Sequence, residues 1–136
     1  MIHLDTTFLV DLLREQRRDR FGPASAYLEA LDENEELCVS VHVVCELMAG
    51  ARLANAPRDE ARRLASLCDA LHVRYPDERF GPAYGRLFAA IRAAGSSIDA
   101  MDLLIATAAI LDDARLVTGN ERHFSKVPGL EIDGYR

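Results

Sequence analysis

The sequence predicts an α/β fold, a parallel sheet of about four or five strands with helices on both faces. Three observations lead there. Short β-type runs alternate with longer stretches of helical periodicity, the pattern that right-handed crossovers between parallel strands require. The segment Met101–Leu111 is apolar almost all round, as expected of a helix buried between layers. The length, 136 residues, suits one domain spanning 1–136 with a single core, and no repeat, low-complexity tract or linker divides it.

Ile2–Asp5 reads as the first strand. Phe8, Leu9, Leu12 and Leu13 then mark one face of a helix that Thr6 or Thr7 can cap. Gly22-Pro23 opens a second helix carrying Tyr27, Leu28 and Leu31, because the fixed φ of proline suits a first turn. Leu37–Val41 is a strand, followed by a helix with Val43, Val44, Leu47 and Ala51 on one side. Pro57 starts another helix whose Leu64, Leu67, Cys68 and Leu71 face inward. His72–Tyr75 is a brief strand ended by Pro76, and Phe80, Tyr84, Leu87, Phe88 and Ile91 build a long amphipathic helix that stops at Gly95. Arg115–Thr118 is a strand, Asn120–Phe124 a short helix and Leu130–Asp133 the last strand.

Sixteen basic residues stand against 22 acidic ones, a net charge of −6. Such a chain does not hold nucleic acid by bulk positive charge, although it can act on it through a bound cation. No apolar run approaches the roughly 18 residues of a membrane span. Met1-Ile2-His3-Leu4-Asp5 lacks the cationic and apolar segments of a signal peptide, so a cytoplasmic location is expected. Cys38, Cys45 and Cys68, odd in number and without C-x-x-C spacing, read as small buried residues of a reducing compartment. His3, His42, His72 and His123 show no zinc-ligand spacing.

Parallel sheets bind their ligands at the carboxyl ends of the strands, which decides the polar residues that matter. Asp5 ends the first strand, and Glu46 lies just over a turn into the helix after the second. Asn120 follows the strand at Arg115–Thr118, and Asp102 opens the buried helix that feeds that strand. Asp102 reaches the same rim only if its helix starts there and runs back beneath the sheet. Taken singly, each acid has an ordinary account as a helix cap, a solvated side chain or a first-turn residue favoured by the helix dipole. Taken together, in strongly apolar surroundings, they repel. Two unit charges ~4 Å apart cost on the order of 4 kcal/mol at an effective dielectric of 20. That is large against a net stability of about 5–15 kcal/mol, so protons or a cation must sit among them. All-oxygen donors without His or Cys suit Mg²⁺ or Mn²⁺, and such an ion would bind a phosphate oxygen and acidify water. The chemistry implied is hydrolysis of a phosphodiester.

The strings Ile2-His3-Leu4-Asp5-Thr6-Thr7, Glu46-Leu47-Met48-Ala49-Gly50, Asp102-Leu103-Leu104-Ile105-Ala106 and Leu116-Val117-Thr118-Gly119-Asn120-Glu121-Arg122-His123-Phe124 sharpen this reading. In that order and spacing they resemble PIN-domain proteins, and among them the VapC-like toxins of bacterial toxin–antitoxin pairs. The resemblance spans nearly the whole chain. It implies a three-layer PIN-like fold, a single-strand-selective endoribonuclease using Mg²⁺ (with Mn²⁺ as a substitute), a homodimer, and a small cognate antitoxin protein that occludes the site. It also implies Asp5, Glu46 and Asp102 as metal ligands, directly or through water, with Asn120 as the fourth catalytic position. That position is often Asp in the family, and an uncharged amide leaves the occupancy of a second metal site open. Asp99 either adds charge to the rim or caps the helix of Asp102, and Thr6 and Thr118 are candidates to bond the carboxylates or the water.

Arginines dominate the basic residues, with Arg14, Arg17, Arg18 and Arg20 in one cluster and Arg52, Arg58, Arg62 and Arg63 in another. Of these, Arg14, Arg17 and Arg52 are candidate RNA contacts, since guanidinium forks suit phosphate oxygens; solvated helix faces explain them equally well. Phosphoryl-transfer enzymes with an Asp after the first strand fit poorly. The haloacid-dehalogenase type needs a second Asp where Thr7 stands, and a receiver domain wants a lysine at a late strand end, whereas Lys126 is the only lysine. Two alternatives remain within the fold: a non-catalytic PIN-like module that binds RNA or a partner, and a nuclease acting on DNA. Three retained carboxylates argue against the first.

Overall fold

In the computed structural model, which describes residues 1–136, five short strands alternate with seven helices. In chain order they are β1 (Ile2–Leu4), α1 (Thr6–Arg17), α2 (Pro23–Ala30), β2 (Leu37–Ser40), α3 (Val41–Arg52), α4 (Pro57–Asp69), β3 (His72–Arg74), α5 (Phe80–Ala93), α6 (Ala100–Leu111), β4 (Arg115–Thr118), α7 (Glu121–Phe124) and β5 (Ile132–Gly134). All pairings are parallel, in the order β3-β2-β1-β4-β5. The expected sheet is thus observed at its upper strand count.

The central position of β1 follows from its residues. Ile2, His3 and Leu4 are all buried, as a parallel strand covered on both faces must be. Phe8, Leu9 and Leu12 of α1, Val43 and Leu47 of α3, and Leu103, Ile105, Ala106 and Ala109 of α6 join it in one apolar core. Helix α6 is buried almost all round, and the Thr107 hydroxyl satisfies itself inside that core by donating to the Leu103 carbonyl at 2.6 Å. Only Asp112–Ala114 separate α6 from β4, so the helix ends at the amino edge of the sheet and begins at the carboxyl edge. This is the run beneath the sheet that Asp102 requires.

Several boundaries differ from the sequence reading for identifiable reasons. Neither Thr6 nor Thr7 caps α1; Asp5 does, accepting from the Phe8 amide at 2.9 Å, because both threonine hydroxyls are drawn to carboxylates. Val41 and Tyr75 fall outside their strands, Val41 because Ser40 already caps α3. The last strand is shifted to Ile132–Gly134 by its register against β4, where Leu116 faces Ile132 and Thr118 faces Gly134. Of the cysteines only Cys38 is buried, while Cys68 is intermediate and Cys45 is exposed. The buried positions of α3 recur at Val43, Leu47 and Ala51, and Cys45 points about 200° away from Val43 on the helical wheel. No helix is long and apolar enough to cross a membrane.

Candidate active site

Asp5 leaves β1 and becomes the cap of α1, so one residue is held by a central strand and by a helix N-terminus. It is only 2% exposed. The Phe8 amide and the Thr7 hydroxyl reach Oδ1 at 2.9 and 2.8 Å, and the Thr118 hydroxyl at the end of the adjacent β4 donates to Oδ2. These threonines also fix the turn after β4. Gly119 donates its amide to Thr7 Oγ1 at 2.9 Å, and Asn120 donates to Thr118 Oγ1 at 2.8 Å. Burial nevertheless pushes the Asp5 carboxyl above the usual range, and the charge of Glu46 adds to that push against the donors.

Glu46 reaches the same rim from α3, held by the Thr6 hydroxyl, which donates to Oε1 at 2.6 Å. Asp102 sits in the first turn of α6, whose cap is Asp99 accepting from the Met101 amide at 3.1 Å. Asp99 therefore fills both roles considered for it, because its charge also bears on Asp102. Burial raises the Asp102 carboxyl, then Asp99, Glu46 and Asp5 raise it further, with His123 opposing. The four acids are within electrostatic reach of one another, yet no three His, Cys, Asp or Glu side chains close into a ready-made metal cage.

Asn120 is turned toward His123, its amide nitrogen 2.9 Å from Nδ1, and that same Nδ1 is 3.8 Å from Asp102 Oδ2. His123 is a site neighbour that sequence reasoning passed over. The sequence gives it no role at the site, although its place three residues after Asn120 on a short helix is the signal that brings it to the rim.

A cavity of about 240 Å³ opens beside Glu46 and Thr6, between α1, α3 and α4. Arg14 and Arg17 line it, and Arg17 is tied across it to Glu60 at 2.6 Å. Arg52 is not there. It stands at the last turn of α3 beside a separate depression formed with Pro57, Arg58 and Asp59, away from the acids.

The donor set suits a hard divalent cation. It consists of carboxylate oxygens without sulfur or a committed imidazole, and no arginine or lysine pairs with Asp5, Glu46 or Asp102. Burial first, and neighbouring carboxylates after it, raise the carboxyls of Asp5 and Asp102.

The PIN domain family model matches residues 2–130. The chain belongs to the PIN-domain family. This PIN domain is 36% identical over 130 residues to Ribonuclease VapC19 of Mycobacterium tuberculosis, covering 94% of this chain and 95% of the relative. It is 30% identical to Ribonuclease VapC2 of Rickettsia felis, covering 83% and 86%. Its fold superposes on the crystal structure of VapBC2 from Rickettsia felis bound to a promoter DNA fragment with a TM-score of 0.89, at 26% identity and full coverage of both chains. The PIN-like three-layer architecture expected from the sequence is the one observed.

Proposed function

We propose that this chain is a metal-dependent endoribonuclease, the toxin of a toxin–antitoxin pair, acting as one domain over residues 1–136 in the cytoplasm. The observation that carries the reading is the set of Asp5, Glu46 and Asp102 at the carboxyl edge, whose like charges act on one another with no arginine or lysine paired to them. The ribonuclease names of its VapC relatives and its likeness to the VapBC2 structure support the activity and a small antitoxin partner. Mg²⁺ is the proposed ion, with Mn²⁺ able to replace it.

Asp5, Asp102 and Glu46 would hold the cation, which when bound would neutralise a phosphate oxygen and acidify water. Asp5 is fixed by three donors and Asp102 by a buried helix, so both start from defined positions. Thr6 occupies only Oε1 of Glu46, leaving Oε2 to orient the attacking water and accept its proton. Asn120, anchored by Thr118, would position that water without adding charge. Arg14 and Arg17 at the adjoining cavity are the proposed RNA contacts, and the placement of Arg52 argues against including it. A homodimer is proposed from the family resemblance.

The test is to incubate purified protein with single-stranded RNA in Mg²⁺ or chelator and to map the product ends. Water as nucleophile gives a 5′-phosphate and a free 3′-hydroxyl. Asp5→Asn and Asp102→Asn should each lower cleavage by at least about a thousandfold while remaining folded. Cleavage that persists in chelator, or 2′,3′-cyclic ends, would contradict the proposal.

A further inference from the structure

Asp11, one and a half turns along α1 from the cap, gathers three groups at the edge of the acidic rim. Its Oδ2 accepts from the Tyr135 hydroxyl at 2.6 Å and forms an ion pair with Arg136 Nη1 at 3.1 Å, and its Oδ1 lies 3.4 Å from Arg14 Nη1. Tyr135 is fixed in turn. Its ring stands edge-on to buried Phe8 with centroids 4.8 Å apart, and the Arg136 guanidinium lies 5.7 Å over that ring.

The arginine is thereby aimed across Gly119. A Cβ at Gly119 would fall 2.5 Å from Arg136 Nε and 2.6 Å from Nη2, so the absence of a side chain there makes room for the guanidinium. The Gly119 amide bonds Thr7, and Thr7 bonds Asp5. The guanidinium therefore lies against a backbone that is two hydrogen bonds from the buried carboxylate. Asp11 engages Nη1, whereas Nε and Nη2 have no protein acceptor, and the side chain is 49% exposed.

We propose that Arg136 is a substrate ligand of this site, gripping an RNA phosphate beside the scissile one, with Asp11 as its positioning residue. This rests on the nuclease reading above. A rim of four carboxylates repels a polyanion, and the cluster of Asp11, Arg14 and Arg136 carries a net charge of +1 beside it. Arg14 and Arg136 are both held by Asp11, so the two cations stand side by side, Arg14 lining the cavity next to Glu46 and Arg136 lying against Gly119. A half-exposed guanidinium held in this way offers its remaining N–H groups to a phosphate oxygen with a direction that a flexible ammonium lacks.

The test is fluorescence anisotropy of a short labelled single-stranded RNA in chelator, over a series of salt concentrations. Arg136→Ala should weaken Kd about tenfold and reduce the slope of log Kd against log salt by about 0.7, the release expected for one phosphate contact on a single strand. Arg136→Lys should keep the slope and lose part of the affinity. Gly119→Ala, which pushes the guanidinium aside without deleting it, should weaken binding by a smaller factor. A merely structural role for Arg136 would leave the slope alone. An unchanged Kd and slope in Arg136→Ala, with wild-type protein that cuts RNA in Mg²⁺, overturns this assignment and leaves the nuclease reading standing. The expected binding changes in a protein that never cuts RNA would overturn the nuclease reading and, with it, the place beside a scissile phosphate, leaving Arg136 as an RNA contact alone.

Discussion

Asp102 and Asp112 stand at opposite ends of one helix, α6, and their carboxyls are driven in opposite directions. Asp112, just past the last turn, is pushed up by burial, but the Arg74 fork at 3.0 and 3.1 Å and His3 Nε2 at 2.7 Å outweigh that and hold it below its ordinary 3.8. Asp102, in the first turn, is raised above 3.8 by burial and then by Asp99, Glu46 and Asp5. The helix macrodipole alone would give the reverse order, since it favours an anion at the N-terminus and opposes one at the C-terminus by ~0.3–1 kcal/mol. Burial raises both carboxyls, and the neighbours decide whether that rise is reversed, as at Asp112, or added to, as at Asp102. A carboxylate supplied with its own cations ties the fold together, and one beside other carboxylates is where the proposed cation would act.

The largest effect that would break this comparison is on the paired side. Asp112→Asn leaves the Arg74 fork without its anion and buried His3 without a charged partner, while Nδ1 of His3 already has no partner. The expected loss is about 2–3 kcal/mol, read as a fall of roughly 10 °C in melting temperature. A variant that melts with the wild type would show that the pairing carries no stability.

A smaller, pH-dependent effect sharpens the contrast. Asp112 has a lowered carboxyl, so its contribution is fully present above 3.8 and is lost as pH falls through its folded value. Asp5 and Asp102 have raised carboxyls, so theirs is present below 3.8 and is lost as pH rises through their folded values. His3 is lowered by burial despite Asp112, so its contribution is present above 6.5 and is lost as pH falls toward its folded value. Urea unfolding in chelator should therefore show any advantage of Asp102→Asn shrinking as pH drops from 7 through the raised Asp102 value. The deficit of Asp112→Asn should persist until the solution is more acidic than 3.8. Parallel pH profiles for the two variants would contradict the opposite shifts.

The sheet, its helices and the convergence of Asp5, Glu46 and Asp102 were legible because each rests on local signals: alternating periods, strand ends and the crossover rule. Asp102 was legible only through the requirement that α6 start at the rim, which it does. The roles of the threonines were half-read. The sequence offers Thr6 and Thr118 as partners of the carboxylates and Thr6 or Thr7 as a cap, and it does not tell which of two adjacent hydroxyls turns toward Asp5. Arg52 looked equivalent to Arg14, and only the packing of α3 against α4 separates them. The His3–Asp112–Arg74 link joins residues far apart in sequence through β1, α6 and β3, and Arg136 reaches Asp11 from the other end of the chain. Such pairings depend on tertiary geometry and leave no periodic trace.

The most direct test of the central claim is the melting temperature of wild-type protein and Asp102→Asn, each in chelator and in excess Mg²⁺ or Mn²⁺. A cation at a hundred times its Kd should stabilise the wild type by about 2.7 kcal/mol. In chelator, Asp102→Asn should melt above the wild type, because it removes a charge whose neighbours are other carboxylates. It should then respond little to metal. An Asp102→Asn protein that melts below the wild type in chelator, or a wild type indifferent to millimolar cation, would contradict the account.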